Sequence, residues 1–147
     1  MQTSGQYEIS TDRSRLDMAL IHEFLLSTYW AQNIPRAVVE RSIQNSLCFG
    51  AFQGGQQAGF ARVITDFATL AYLADVFVVP EHRGRGLSKM LLRAILAHPE
   101  LKGLRRFLLA TQDAHGLYAQ FGFQPLAQPE HFMTIHQPGV YRGENEA

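Results

Sequence analysis

The segment that most constrains this chain is Val76-Phe77-Val78-Val79-Pro80-Glu81-His82-Arg83-Gly84-Arg85-Gly86-Leu87, where an apolar run meets two spaced glycines. The run from about Leu70 to Val79 reads as a strand, and its near-continuous apolar character predicts burial on both faces. Beyond Gly86, residues Leu87, Met90, Leu91, Ala94 and Ile95 share one face of a helix, which must be ending by Pro99. A strand that feeds a helix through a glycine turn commits the surrounding chain to a mixed sheet-and-helix domain. The turn is also a site. The first amides of such a helix lack intrahelical acceptors and carry the positive end of its dipole, while glycines allow close approach to the backbone. Arg83, Arg85 and Lys89 add positive charge there, so a phosphate or pyrophosphate suits it. The competing reading is an ordinary tight connection with solvated arginines. No Gly-Lys-Ser/Thr follows to make a Walker loop, and Lys89 stands where a dinucleotide fingerprint needs its third glycine.

The rest of the chain alternates in the same way. Gln6 to Ser10 reads as a first strand, and Ser14 with Asp17 as a capping pair for a helix carrying Leu16, Leu20, Ile21, Phe24 and Leu25. Pro35 is placed to open a second helix with Val38, Val39 and Ile43 on its apolar stripe. Leu47 to Phe52 and Ala58 to Ile64 form strands of a hairpin about Gly54-Gly55. Arg106 to Ala110 is a further strand, Ala114 to Phe121 a short helix closed by Gly122, and Phe132 to His136 a final strand. The polar tail Gly-Glu-Asn-Glu-Ala is expected to fray. At 147 residues this makes a single domain over 1–147, with an ordered core from about 5 to 138.

Charge and cysteine content exclude several functions. Thirteen basic residues balance thirteen acidic ones, so no global basic field exists to hold nucleic acid or an anionic membrane. The lone cysteine excludes a disulfide framework and fits a reducing compartment. No signal peptide is visible, and no apolar stretch approaches the roughly 20 residues of a membrane span. A cytoplasmic protein is the expectation.

Glu81-His82-Arg83-Gly84-Arg85-Gly86 resembles the acyl-CoA pyrophosphate loop of the GNAT superfamily of N-acetyltransferases, Gln/Arg-x-x-Gly-x-Gly/Ala, with Glu81 departing at the first position. His115-Gly116-Leu117-Tyr118-Ala119-Gln120-Phe121-Gly122-Phe123 resembles that family's Leu-Tyr-x-x-x-Gly-Phe segment. With the element order, the resemblance covers nearly the whole chain. It implies a mixed α/β, α+β-like fold: a central, mostly antiparallel sheet with a parallel strand pair splayed to admit acetyl-CoA, flanked by helices. The implied activity is direct transfer of an acetyl group from acetyl-CoA to a primary amine, without a covalent enzyme intermediate. Short pocket loops and neutral charge point to a small-molecule amine as partner. A peptide or protein amine, or a non-catalytic acyl-CoA-binding sensor, are the alternatives. Dimers are common in the family, so a homodimer is an expectation carried by the resemblance.

By the same resemblance, backbone groups of Phe77 and Val78 pair with the pantetheine arm. Amides of Arg83, Gly84, Arg85, Gly86 and Leu87, with Ser88, hold the pyrophosphate. Tyr118 matches the family tyrosine that protonates the departing sulfur; the alternative is a core tyrosine beside Leu117 and Phe121. Asp75 interrupts an apolar run, so its carboxylate is either paired or perturbed in its ionisation, and it is the candidate base or a structural acceptor. Asp113 is a weaker candidate, suited to an N-cap. Tyr29 and Trp30, in the loop between the first two helices, either shape the acceptor pocket or pack the loop onto the sheet. Arg62 and Asp66 are further acceptor-side candidates. Cys48, between Leu47 and Phe49, reads as a buried inert thiol. His22-Glu23, His131 and His136 lack metal-ligand spacing, so no metal is expected. His115 suits a capping or surface role, and Ser88 lacks the context of a nucleophile.

Overall fold

Six strands form one sheet in chain order: β1 (Gln2–Ser4), β2 (Tyr7–Ser10), β3 (Leu47–Gln53), β4 (Gln56–Thr65), β5 (Leu70–Val78) and β6 (Arg106–Leu109). All neighbours are antiparallel except β5 and β6, which run parallel. Three helices accompany the sheet, α1 (Met18–Leu26), α2 (Arg36–Gln44) and α3 (Leu87–Ala97). This computed structural model describes residues 2–4 and 6–142, and the chain divides between Leu109 and Ala110 into two compact units. The sheet and these helices belong to the first. The second holds α4 (His115–Ala119) and a 3-10 turn, Pro129–His131. The mixed α/β fold with one parallel pair is therefore observed.

Local chemistry accounts for most boundaries. The Gly54-Gly55 turn joins β3 to β4 with Gln53 opposite Gln56, and Gly54 takes φ +60°, which a side chain would resist. Asp17 caps α1 by accepting from Leu20 N–H at 3.0 Å. Ser14 is not its partner; it lies in a separate 3-10 turn, Arg13–Arg15, capped by Asp12. Pro35 stands one residue before α2, as its cap. Helices cover both sides of the sheet. A Cβ on Gly59 would lie 3.5 Å from Leu91 Cδ1, which shows how closely α3 approaches one face. On the other face Phe24 of α1 stacks on Phe77 of β5, with centroids 4.0 Å apart.

Three expectations need correction. The first strand starts at Tyr7, not Gln6, and β1 precedes it. β5 is not buried on both faces: Ala71, Leu73 and Phe77 are buried, but Leu70 and Tyr72 are exposed. The α1 cover reaches Phe77 and leaves Leu70 and Tyr72 to solvent. No strand forms at Phe132–His136, where Met133 and Ile135 are 97% and 93% exposed. That segment has β-favouring residues, but among the described residues the six strands of the sheet do not include it. The Gly-Glu-Asn-Glu-Ala tail lies outside the described residues. Among those residues no helix is long and apolar enough to cross a membrane.

Asp66 holds the turn from β4 into β5. Its carboxylate accepts from the backbone N–H groups of Ala68 (2.9 Å) and Thr69 (2.8 Å) and from Thr69 Oγ1 (2.6 Å). The Thr69 hydroxyl and these amides hold its pKa well below the ordinary carboxylate value. A depressed folded pKa stabilises the fold above the unfolded value, and this is lost as pH falls through the folded one. Asp66→Asn is expected to lower Tm at about pH 7 and to lose most of that difference at about pH 2. Thermal unfolding at both pH values checks this; an unchanged gap would refute it.

Candidate active site

The register between β4 and β5 jumps from Phe60↔Phe77 to Arg62↔Ala74, so Asp75 and Val76 together face Ala61. This is a β-bulge, which bends a strand and increases its twist. Asp75 adopts φ +56°, a left-handed conformation that aspartate tolerates better than most side chains. The β5–β6 ladder stops at Leu73↔Leu109, whereas β5 runs on to Val78. Among the described residues, no strand of the sheet accompanies residues 74–78 on that edge, so β5 outruns its parallel partner. Val79 N–H donates to Ala58 C=O at 2.9 Å. By the alternation of an antiparallel ladder, Phe77 also turns its backbone groups to β4, and Val78 turns its own to the other edge.

A 3-10 turn, Pro80–His82, leads from this edge to the glycines. Gly84 and Gly86 have φ of +77° and +78°, and a Cβ on either would meet nothing within 4 Å. The space over the turn is open. Met90 N–H donates to Gly86 C=O at 3.0 Å, and α3 has no side-chain cap. Its leading amides, at Leu87, Ser88 and Lys89, therefore have no acceptor within the helix. Leu87 buries its side chain while Arg83, Gly84, Arg85 and Gly86 are exposed. Arg83 Nε donates to Val78 C=O at 3.1 Å, and Arg85 Nη1 to the Tyr7 hydroxyl at 2.9 Å. An exposed, positively charged cradle of backbone amides fits the pyrophosphate of an acyl-CoA.

Beside the bulge, Asp75 is paired, as an acidic residue in an apolar run must be. Its Oδ2 accepts from Arg62 Nε at 2.9 Å and its Oδ1 from Trp30 Nε1 at 2.8 Å. The Arg62 and Asp75 side chains are only 16% and 11% exposed. Arg62 Nη1 continues to Ser46 Oγ at 3.2 Å. Tyr29 meets Trp30 edge-on at 5.0 Å, and the two remain 52% and 44% exposed. Tyr29, Trp30, Asp75 and Arg62 are thus brought together, whereas Asp66 is committed to its turn. Trp30→Phe keeps an aromatic ring, though a smaller one, and removes the N–H that anchors the loop to Asp75. With the acceptor-pocket role that the sequence resemblance implies for this loop, KM for the amine is expected to rise roughly five- to tenfold, with acetyl-CoA affinity unchanged. Steady-state kinetics in both substrates checks this, and a shift in acetyl-CoA affinity instead would refute it.

In the second unit, Tyr118 is buried in α4 and meets Phe123 edge-on at 5.9 Å. Gly122, at φ +95°, ends this turn of chain. Asp113 is not the cap of α4; Ala114 occupies that position, and Thr111 Oγ1 accepts from its N–H at 3.1 Å. Cys48 is buried, and burial pushes its thiol up to about 11, as suits an inert side chain. Among the described residues no three His, Cys, Asp or Glu side chains gather as metal ligands. The reading of the sequence misses the Arg62–Asp75 pair and the Tyr7–Arg85 contact. The first had a signal: two opposite charges, each interrupting an apolar strand.

Residues 18–123 match the sequence profile of the Acetyltransferase (GNAT) family. A crystal structure of a Xanthomonas campestris pv. campestris protein assigned to that family is 56% identical, with TM-score 0.92 over 96% of this chain and 100% of that one. A Gibberella zeae protein carried under an acetyltransferase name is 30% identical, across 80% of this chain and 78% of its own. The thialysine N-epsilon-acetyltransferase of Mus musculus is 28% identical, across 61% of this chain and 58% of its own. Together these define an acetyltransferase enzyme. The chain belongs to the GNAT family, whose members typically take the acetyl group from acetyl-CoA.

Proposed function

We propose that this enzyme transfers the acetyl group of acetyl-CoA directly to a primary amine of a small molecule. The observation that carries the donor is the pair of left-handed glycines, Gly84 and Gly86, open to solvent beyond a strand that outruns its parallel partner. In this reading the pyrophosphate lies on the amides from Arg83 to Leu87, with Ser88. The pantetheine arm runs along the Phe77–Val78 segment, where Val78 turns its backbone to the open edge. The relative from Mus musculus, whose name gives an amino-acid side-chain amine, supports a small primary amine as acceptor. So do Tyr29 and Trp30, whose exposed rings can receive an organic body or an ammonium beside the neutralised Arg62–Asp75 pair.

Bound acetyl-CoA supplies a thioester carbonyl that a neutral amine attacks, forming a C–N bond and breaking the C–S bond. The residues then handle two protons. Asp75 takes the proton that the amine sheds, through water, using lone pairs that Trp30 and Arg62 leave over. Tyr118 gives a proton to the departing sulfur, an assignment supported by the Leu117-Tyr118 to Gly122-Phe123 segment within the family match. Calorimetric titration with acetyl-CoA and desulfo-CoA tests the donor. Thiol release with thialysine, lysine, simple monoamines and peptide amines tests the acceptor. Binding with turnover of the small amines is the expected result. Absence of acetyl-CoA binding would overturn the reading, and turnover of peptide amines alone would replace its acceptor.

A further inference from the structure

The glycine turn is tied to a distant strand by one side chain. Tyr7 of β2, buried and paired with Gln53 of β3, places its hydroxyl 2.8 Å from His82 Nδ1 and 2.9 Å from Arg85 Nη1. Its ring also meets the His82 ring edge-on, with centroids 5.6 Å apart. A guanidinium only donates, so the phenol oxygen accepts from Arg85 and directs its own proton to His82 Nδ1. In this assignment each proton is used once, and His82 carries its N–H on Nε2. The hydroxyl thereby holds the turn on both sides of Gly84. Arg85 itself is exposed, and its remaining N–H groups are available to a ligand.

We propose that Tyr7 is a positioning residue for the acyl donor: it pre-orders Arg85, and through His82 the approach to Gly84, so that the donor's pyrophosphate meets a fixed guanidinium. The inference rests on the placement of acetyl-CoA under Proposed function. An unrestrained arginine would lose much side-chain freedom on binding, and a restrained one has already lost it. The role concerns the pyrophosphate alone, which separates it from a general contribution of Tyr7 to packing.

The test is Tyr7→Phe, which keeps the ring and removes the hydroxyl. Two donors are compared: acetyl-CoA, and S-acetylpantetheine, which has the arm but no pyrophosphate. We expect Kd and KM for acetyl-CoA to rise about tenfold, with kcat at saturation and kcat/KM for S-acetylpantetheine unchanged. Arg85→Gln alone should produce a similar loss, and the double variant little more. Unchanged acetyl-CoA affinity in Tyr7→Phe would overturn the proposal, as would equal losses with both donors. Should Tyr7→Phe not fold, wild-type affinity in Arg85→Gln overturns it equally. Wild-type protein that fails to bind acetyl-CoA would instead sink the donor site itself.

Discussion

Gly84→Glu is expected to abolish acetyl-CoA binding, raising Kd by at least about 100-fold, while the protein remains folded. At φ +77° a non-glycine residue is strained by roughly 1–2 kcal/mol, which a domain with ~5–15 kcal/mol of stability can absorb. The new side chain meets no protein atom near its Cβ, so it projects into the open space above the turn. The proposed donor site puts the phosphates there. Its carboxylate would repel them and would also attract Arg83 and Arg85 away from them. Gly84→Ala separates the two effects, because alanine suffers the same backbone strain but leaves most of the space open. A much smaller loss of affinity in Gly84→Ala than in Gly84→Glu is the expected pattern. Calorimetry reads the affinity and thermal unfolding the fold. A folded Gly84→Glu protein that binds acetyl-CoA normally would remove the turn from the donor site.

What the sequence discloses about this fold is what short-range chemistry decides. The Gly54-Gly55 hairpin and the strand–glycine–helix unit each depend on a few adjacent residues, and each forms. The same holds for the two motifs that carry the family resemblance, both inside the matched residues 18–123. Features that depend on register or cover are not legible in this way. Asp75 meets Arg62 because β4 and β5 are neighbours with a bulge between Phe60 and Arg62, and no local pattern announces that bulge. Tyr7 reaches His82 and Arg85 across 75 and 78 positions, through a strand and a turn that only folding brings together. The exposure of Leu70 and Tyr72 follows from how far α1 extends over the sheet, not from β5 itself. Phe132–His136 has the residues of a strand, yet the described strands do not include it. Pattern prescribes what an element would bury; neighbours decide whether it does.

Tyr118→Phe is expected to lower kcat about 100-fold and leave acetyl-CoA affinity as it is. The phenylalanine preserves the ring that packs edge-on against Phe123, so α4 keeps its place and only the hydroxyl is lost. Breaking the C–S bond leaves a thiolate unless a proton arrives in the same step, and a positioned general acid typically contributes ~10²–10⁴ in rate. The sign of the pH dependence follows from this role. A proton donor must be protonated to act, so kcat in the wild type should fall toward high pH, and the variant should lose that limb. Packing alone predicts neither change, because the Phe variant conserves the packing. Steady-state kinetics at saturating amine and acetyl-CoA across pH, with calorimetry on the same protein, separates chemistry from binding. A kcat within about twofold of wild type would assign protonation of the sulfur to water and return Tyr118 to the core.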